Sequence, residues 1–197
     1  MASHLISMVS TASAKATEQP VTKGSSFADI ELPENNANYV KTYDTLVGDK
    51  GRKHLMPKRG IAIICCMDAR LDPVNMCGLE IGDAHIIRNG GGRAVDAMRS
   101  LIGSQEALQT REIVIIHHED CGYSHASTTV IQKALKSRTP DGAHPLVDGV
   151  ALQEFSDPMQ SVREDVAFLR TNPLIHPDSM ISGWYYAVKN GELKRVC

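Results

Sequence analysis

Four stretches of the chain read as β-strands from their apolar content. GIAIICC (60–66), DAHIIRN (83–89) and REIVIIH (111–117) are short runs rich in β-branched residues, each bounded by polar or turn-forming positions. MISGWYYAV (180–188) is a fourth, followed by the turn Lys189-Asn190-Gly191. The first run is continuous rather than alternating, the pattern of a strand covered on both faces of a parallel sheet. Between the second and third, RAVDAMRSLIGSQEALQ (93–109) places Ala94, Met98, Leu101 and Leu108 at helical spacing, which predicts an amphipathic crossover helix. Residues 123–137 and 157–170 also read as helices, the second with Val162, Val166 and Leu169 as its apolar stripe. Asn35 or Asn36 is a candidate cap for a helix running to about Val47, with Tyr39, Tyr43 and Leu46 on one face. RTPDGAHPLVDGV (138–150) reads as a loop. Strands alternating with helices predict an α/β fold, with a central, mainly parallel β-sheet flanked by helices.

The chain has 197 residues, 42% of them hydrophobic. A single domain of this size buries roughly 70% of its unfolded surface. The expected organisation is a flexible tail over residues 1–26 and one domain over 27–197. The tail is rich in Ser, Thr and Ala and holds no acid before Glu18, yet it has no Arg. It reads as disordered or draped on a partner, with a targeting segment as the alternative. The expected location is therefore cytoplasmic, or mitochondrial if the tail is a signal. A net charge of −2 gives no basic surface for nucleic acid or anionic lipid. No apolar run approaches the length of a membrane span.

Five cysteines at irregular spacing (65, 66, 77, 121 and 197) argue against a disulfide framework and for free thiols. Two predicted strands end in metal-ligand residue types. The first ends at Cys66, followed by Asp68 and Arg70; the third runs into His117, His118 and Cys121. His118 and Cys121 lie three positions apart, a spacing that lets both side chains converge on one ion from a tight turn. Cys66 joins from a neighbouring strand end, where open parallel sheets bind ligands. Two thiolates and one imidazole suit zinc, one ion per chain, and three protein ligands leave a fourth tetrahedral position open, as in catalytic sites. Cys65, Cys77 and Cys197 read as core residues.

Cys66-Met67-Asp68-Ala69-Arg70 and His118-Glu119-Asp120-Cys121-Gly122 resemble the two signature motifs of the β-class carbonic anhydrases. GLEIGDAHIIRNGGG (78–92) resembles that family's intervening segment, and SVREDVAFLRTNPLI with ISGWYYAVKNGEL resembles its closing helix and strand. The resemblance spans residues 35–195. It implies zinc bound by Cys66, His118 and Cys121, the family's α/β fold, and a homodimer or a tetramer of dimers with active sites near the interface. Three departures stand out. Ala69 replaces the usual Ser, Ile81 replaces a frequent Pro, and the doubled His117-His118 with Tyr123 resembles a smaller subgroup that also contains carbonyl sulfide hydrolases.

The expected reaction is the reversible hydration of carbon dioxide to bicarbonate by a zinc-bound hydroxide. Hydrolysis of carbonyl sulfide at the same site is the alternative. Asp68 is placed to orient the hydroxide, and Arg70 to hold Asp68 as a bidentate partner. If Arg70 releases it, Asp68 can take the fourth zinc position and shut the site. Gly91 and Gly92, in RNGGGR (88–93), are candidates for close backbone approach beside the substrate, with Tyr123 as a further pocket residue. His117, His125 and Tyr123 are candidates by chemistry alone to carry the proton away, with a structural role as the favoured alternative for each. Two competing readings are a non-enzymatic zinc module closed by Asp68 and a cysteine nucleophile at Cys121. The first lacks a fourth Cys or His at suitable spacing, and the second leaves Cys66 unexplained.

Overall fold

The structure is a computed structural model that describes residues 27–28, 31–48 and 55–197. The expected tail over residues 1–26 lies outside the described residues. The chain divides into two units after Gly48. In the first, α1 (Glu31–Leu46) starts four residues before the predicted cap at Asn35. Pro33 falls in the first turn, where no backbone N–H needs a helical acceptor, and Glu31 and Glu34 favour the positive end of the helix. Tyr39 and Tyr43 meet edge to face one turn apart, with ring centres 5.8 Å apart.

The second unit is built on a five-stranded sheet. Its strands are β1 (Ile61–Cys66), β2 (Ala84–Asn89), β3 (Glu112–His118), β4 (Met180–Ala187) and β5 (Glu192–Arg195). They lie in the order β2-β1-β3-β4-β5. All neighbours are parallel except β4 and β5. The four predicted strands are present. The fifth, ELKR, has no apolar signal because it lies at an exposed edge. β1 lies between β2 and β3, and Ala62 to Cys66 are all buried, as its unbroken apolar run predicts.

Helices α2 (Pro73–Met76), α3 (Ala94–Glu106), α4 (Gly122–His125), α5 (Thr128–Lys136), α6 (His144–Asp148) and α7 (Pro158–Thr171) complete the unit. α3 is the predicted crossover, but it stops at Glu106, so Leu108 lies beyond it. The helix expected over 123–137 is broken at Ala126 and Ser127, and the expected loop over 138–150 contains α6. α7 starts as its sequence dictates: Asp157 accepts hydrogen bonds from the Met159 and Gln160 amides, and Pro158 follows.

The main core joins Ala94, Ala97 and Leu101 of α3 and Val162, Val166 and Leu169 of α7 to Ala62, Ile64, Ile113 and Ile115 of the sheet. Gly183 of β4 lets α7 lie close, since a side-chain carbon there would overlap Val162. A second cluster holds Ile63, Cys65 and Ile116, with Ile86, Val114 and Trp184 half-buried beside them. Cys65 therefore belongs to the core as expected, and burial pushes its thiol up to about 11. The chain leaves β1 toward one edge of the sheet and leaves β3 toward the other. The crevice beyond the carboxyl ends of β1 and β3 is where such sheets place ligands.

Candidate metal centre

Cys66 is the last residue of β1 and His118 the last of β3. Cys121 follows one tight turn later, at the start of α4. That turn is anchored from both sides. The Glu119 amide donates to the Tyr186 carbonyl at 2.8 Å, and the Ser124 hydroxyl and amide both donate to the Cys121 carbonyl. Asp120 adopts φ 53, a left-handed conformation rare for a residue with a side chain.

The three expected ligands converge. One ligand atom from each of Cys66, His118 and Cys121 lies within 4.8 Å of the others, and all three residues are buried. His118 Nδ1–H donates to the Glu119 carbonyl at 2.9 Å, which fixes the tautomer and leaves Nε2 as a lone pair. Nε2 is buried and has no hydrogen-bond partner. Such an orphan costs free energy unless something binds it. The two sulfurs are 3.8 Å apart. Sulfurs ~2.3 Å from one tetrahedral ion stand about 3.8 Å from each other, so the pair fits zinc without rearrangement. The hydrogen bond from Cys121 lowers the Cys66 pKa, and the same contact with burial raises that of Cys121. A dication between them favours loss of both protons.

Asp68 and Arg70 form the predicted pair. Arg70 Nε and Nη2 donate to the two Asp68 carboxylate oxygens at 2.9 and 2.8 Å, and the Arg70 amide adds a third bond at 2.9 Å. These bonds hold the Asp68 carboxyl down at about 2, so it is ionised at any working pH. Asp68 Oδ2 lies 3.9 Å from His118 Nε2. Two further groups, not foreseen from the sequence, frame the pair. Arg88 of β2 donates to the Cys66 and Asp68 carbonyls at 3.1 and 2.6 Å, pinning the backbone on both sides of Met67. Asp120 takes Arg70 Nη1 at 3.1 Å on its carboxylate and Nη2 at 2.9 Å on its carbonyl.

The glycine loop lies against the ligands. Gly92, at φ 71, is so close to β1 that a Cβ would stand 2.9 Å from the Cys66 amide nitrogen and 3.0 Å from the Cys65 carbonyl carbon. We expect Gly92→Ala to force β1 and the loop apart and to weaken metal retention at least about tenfold, the cost of disturbing a ligand's supports. Competition with a chromogenic chelator measures this. Gly91, at φ 73, faces the side chains of Phe155 and Tyr123, and the Tyr123 ring covers Gly90. Tyr123 and Phe155 pack with Cys66, Leu71 and Cys121 in one small apolar cluster.

The proton-carrier candidates separate. His117 points to the opposite face from His118, as neighbours on a strand do, and is fully buried. It stacks on Phe155, with ring centres 5.3 Å apart. Its Nε2 is 3.1 Å from the Gly92 carbonyl and 3.4 Å from Asp165 Oδ2. It is a structural histidine under the glycine loop and not an outlet to water. His125 is exposed, and its Nε2 lies 3.2 Å from Asp120 Oδ1. Arg93 also meets Asp165, with Nη2 2.9 Å from Oδ1, and Asp165 receives the Ala94 amide at 2.9 Å. Burial would raise the Asp165 carboxyl, but the bonds from His117 and the Ala94 amide, with the Arg93 charge, hold it low.

Comparison with known proteins agrees with this geometry. The sequence model of the family described as "Carbonic anhydrase" matches residues 61–193. "Beta-carbonic anhydrase 1" of Mycobacterium tuberculosis is 34% identical over 163 residues, covering 82% of this chain and 93% of that protein. "Carbon disulfide hydrolase" of Acidithiobacillus thiooxidans is 34% identical over 152 residues, covering 69% and 76%. Among solved structures, a carbonic anhydrase from Glaciozyma antarctica superposes with a TM-score of 0.82 at 46% identity, covering 87% of this chain and 99% of that one. With the matched strands carrying a buried Cys-His-Cys cluster at their carboxyl ends, the chain belongs to the β-class carbonic anhydrase family.

Proposed function

We propose that the chain is a zinc-dependent carbonic anhydrase that interconverts carbon dioxide and bicarbonate. The observation that carries this is the unpartnered His118 Nε2 facing two buried thiols, a three-ligand set with Asp68 beside it. When bound, zinc supplies Lewis acidity that makes hydroxide available near neutral pH. The chain's own residues do the rest. Asp68, ionised and therefore only an acceptor, takes a hydrogen bond from the attacking hydroxide and turns its lone pair toward the carbon. Arg70 holds Asp68 in that position and away from the ion. Gly91, Gly92 and Tyr123 wall the space where a small linear substrate lies. His125 is an exposed base linked to the Arg70 pair through Asp120.

A second reading has one specific support: a relative at 34% identity is named for carbon disulfide hydrolysis. The same attack on carbonyl sulfide or carbon disulfide releases hydrogen sulfide. Stopped-flow hydration of carbon dioxide by zinc-verified protein, set beside sulfide release from carbonyl sulfide, decides between the readings. Fast hydration with slow sulfide release supports the anhydrase; the reverse supports the hydrolase. In either assay Asp68→Asn is expected to keep its zinc and lose about 10²-fold or more in turnover. Full activity with bound zinc would remove Asp68 from the mechanism.

We also expect a homodimer or a pair of dimers. The half-buried Ile86, Val114 and Trp184 offer an apolar face for a second copy. No helix among the described residues is long and apolar enough to cross a membrane. Cytoplasmic location is our reading, with a mitochondrial one as the alternative.

A further inference from the structure

We propose that Asp120 is a positioning residue for the Asp68–Arg70 pair, holding Arg70 where it keeps Asp68 off the metal. The proposal rests on the zinc reading above. Arg70 links two loops, one following β1 and one following β3. On its own loop it grips Asp68, two residues away. That grip is a bidentate fork, but the Arg70 side chain is 43% exposed, so water competes for its bonds. Asp120 adds a second grip from the opposite side, through its carboxylate and its carbonyl together. The other Asp120 oxygen is engaged by His125.

Asp120 makes these bonds from a left-handed backbone conformation that costs a residue with a side chain free energy. Glycine would occupy that position without strain. Asp120 also directly precedes the ligand Cys121. The clamp therefore ties Arg70 to the same turn that sets the second thiol. Without it, Arg70 moves more freely and Asp68 spends more time in the fourth metal position, where it excludes other ligands.

The test uses Asp120→Gly in the full chain loaded with cobalt(II), at one fixed pH. The probe is thiocyanate, with binding read from the visible spectrum. Apparent affinity falls in proportion to the fraction of open sites, so thiocyanate is expected to bind at least about threefold more weakly to Asp120→Gly. Loss of a negative charge alone would strengthen anion binding, so weakening cannot come from charge. Asp120→Asn, which keeps an acceptor in the same place, is expected to fall in between. In an Asp68→Asn background, Asp120→Gly is expected to have no weakening effect. The melting temperature of Asp120→Gly checks the fold and is expected not to fall. Unchanged or tighter thiocyanate binding in Asp120→Gly overturns the proposal, as does weakening that persists without the Asp68 carboxylate. A wild-type cobalt protein with no thiolate-to-cobalt absorption would overturn the metal reading itself, and the proposal with it.

Discussion

Replacing Cys66 with serine is expected to leave a folded chain that retains no zinc after dialysis and hydrates carbon dioxide at the rate of buffer. Cys66 is 3% exposed at the end of β1, and serine is nearly its isostere, so the core is little disturbed. The chemistry of the site changes completely. A hydroxyl stays protonated where a thiol gives up its proton, and the soft anionic donor is gone. The remaining pair, His118 and Cys121, is one ligand short of a stable tetrahedral set. The loss in turnover is expected to exceed the ~10–100-fold cost of disturbing an outer partner of a ligand. Metal analysis, thiol titration and stopped-flow on the same preparation check this. Serine protein that holds one zinc per chain and turns over would show that Cys66 is not a ligand.

Asp165→Ala is expected to be the most destabilising single change in the second unit, although Asp165 is not a candidate ligand. Its side chain is 4% exposed and that of Arg93 is 11% exposed. Removing the carboxylate leaves the Arg93 guanidinium buried without its counter-ion and the Ala94 amide without its acceptor. Breaking a buried pair from one side costs about 3–5 kcal/mol, a large part of the ~5–15 kcal/mol that holds a domain. Urea unfolding of the metal-free proteins measures it without help from the ion. The pH dependence has a definite sign. The native pKa of Asp165 is lowered, so its contribution is complete above the ordinary carboxylate value of about 3.9 and fades as acid protonates it. The gap between wild type and variant therefore narrows as pH falls below about 4. A gap of under about 1 kcal/mol at neutral pH would mean that Arg93 finds another partner.

These two residues also mark what the sequence discloses. Cys66, His118 and Cys121 were legible because ligand chemistry restricts residue type, and because strand periodicity put two of the three at strand ends. Asp68 and Arg70 were legible because two residues of spacing suffices for a fork-shaped bond. Asp165 was not: it lies inside the apolar stripe of α7, and its partners His117 and Arg93 are 48 and 72 positions away. No local pattern joins them. Asp120 was hidden for another reason. Its role depends on a backbone conformation that a non-glycine residue seldom adopts. His117 has the structural role that the sequence favours for it, because alternation along the strand turns its ring to the face opposite His118. The strand β5 escaped notice because an exposed edge needs no apolar residues. The end of α3 was overrun because Leu108 continues the helical spacing past the last helical turn.

The place of β1 between β2 and β3 has a consequence for how the site comes into being. Its two neighbours come at different points along the chain: β2 is the next strand, but β3 docks only after α3 has crossed over β1. During synthesis the first thiol emerges 55 residues ahead of the second. Until the crossover closes, a growing chain holds Cys66 apart from His118 and Cys121. The two larger apolar clusters contain none of the three converging donors, while Cys66 and Cys121 sit together in the small third one. The sheet around β1 can thus close on apolar contacts, and the three donors meet only once it has. With zinc as the proposed ion, protein made without it is expected to be folded and idle rather than misfolded.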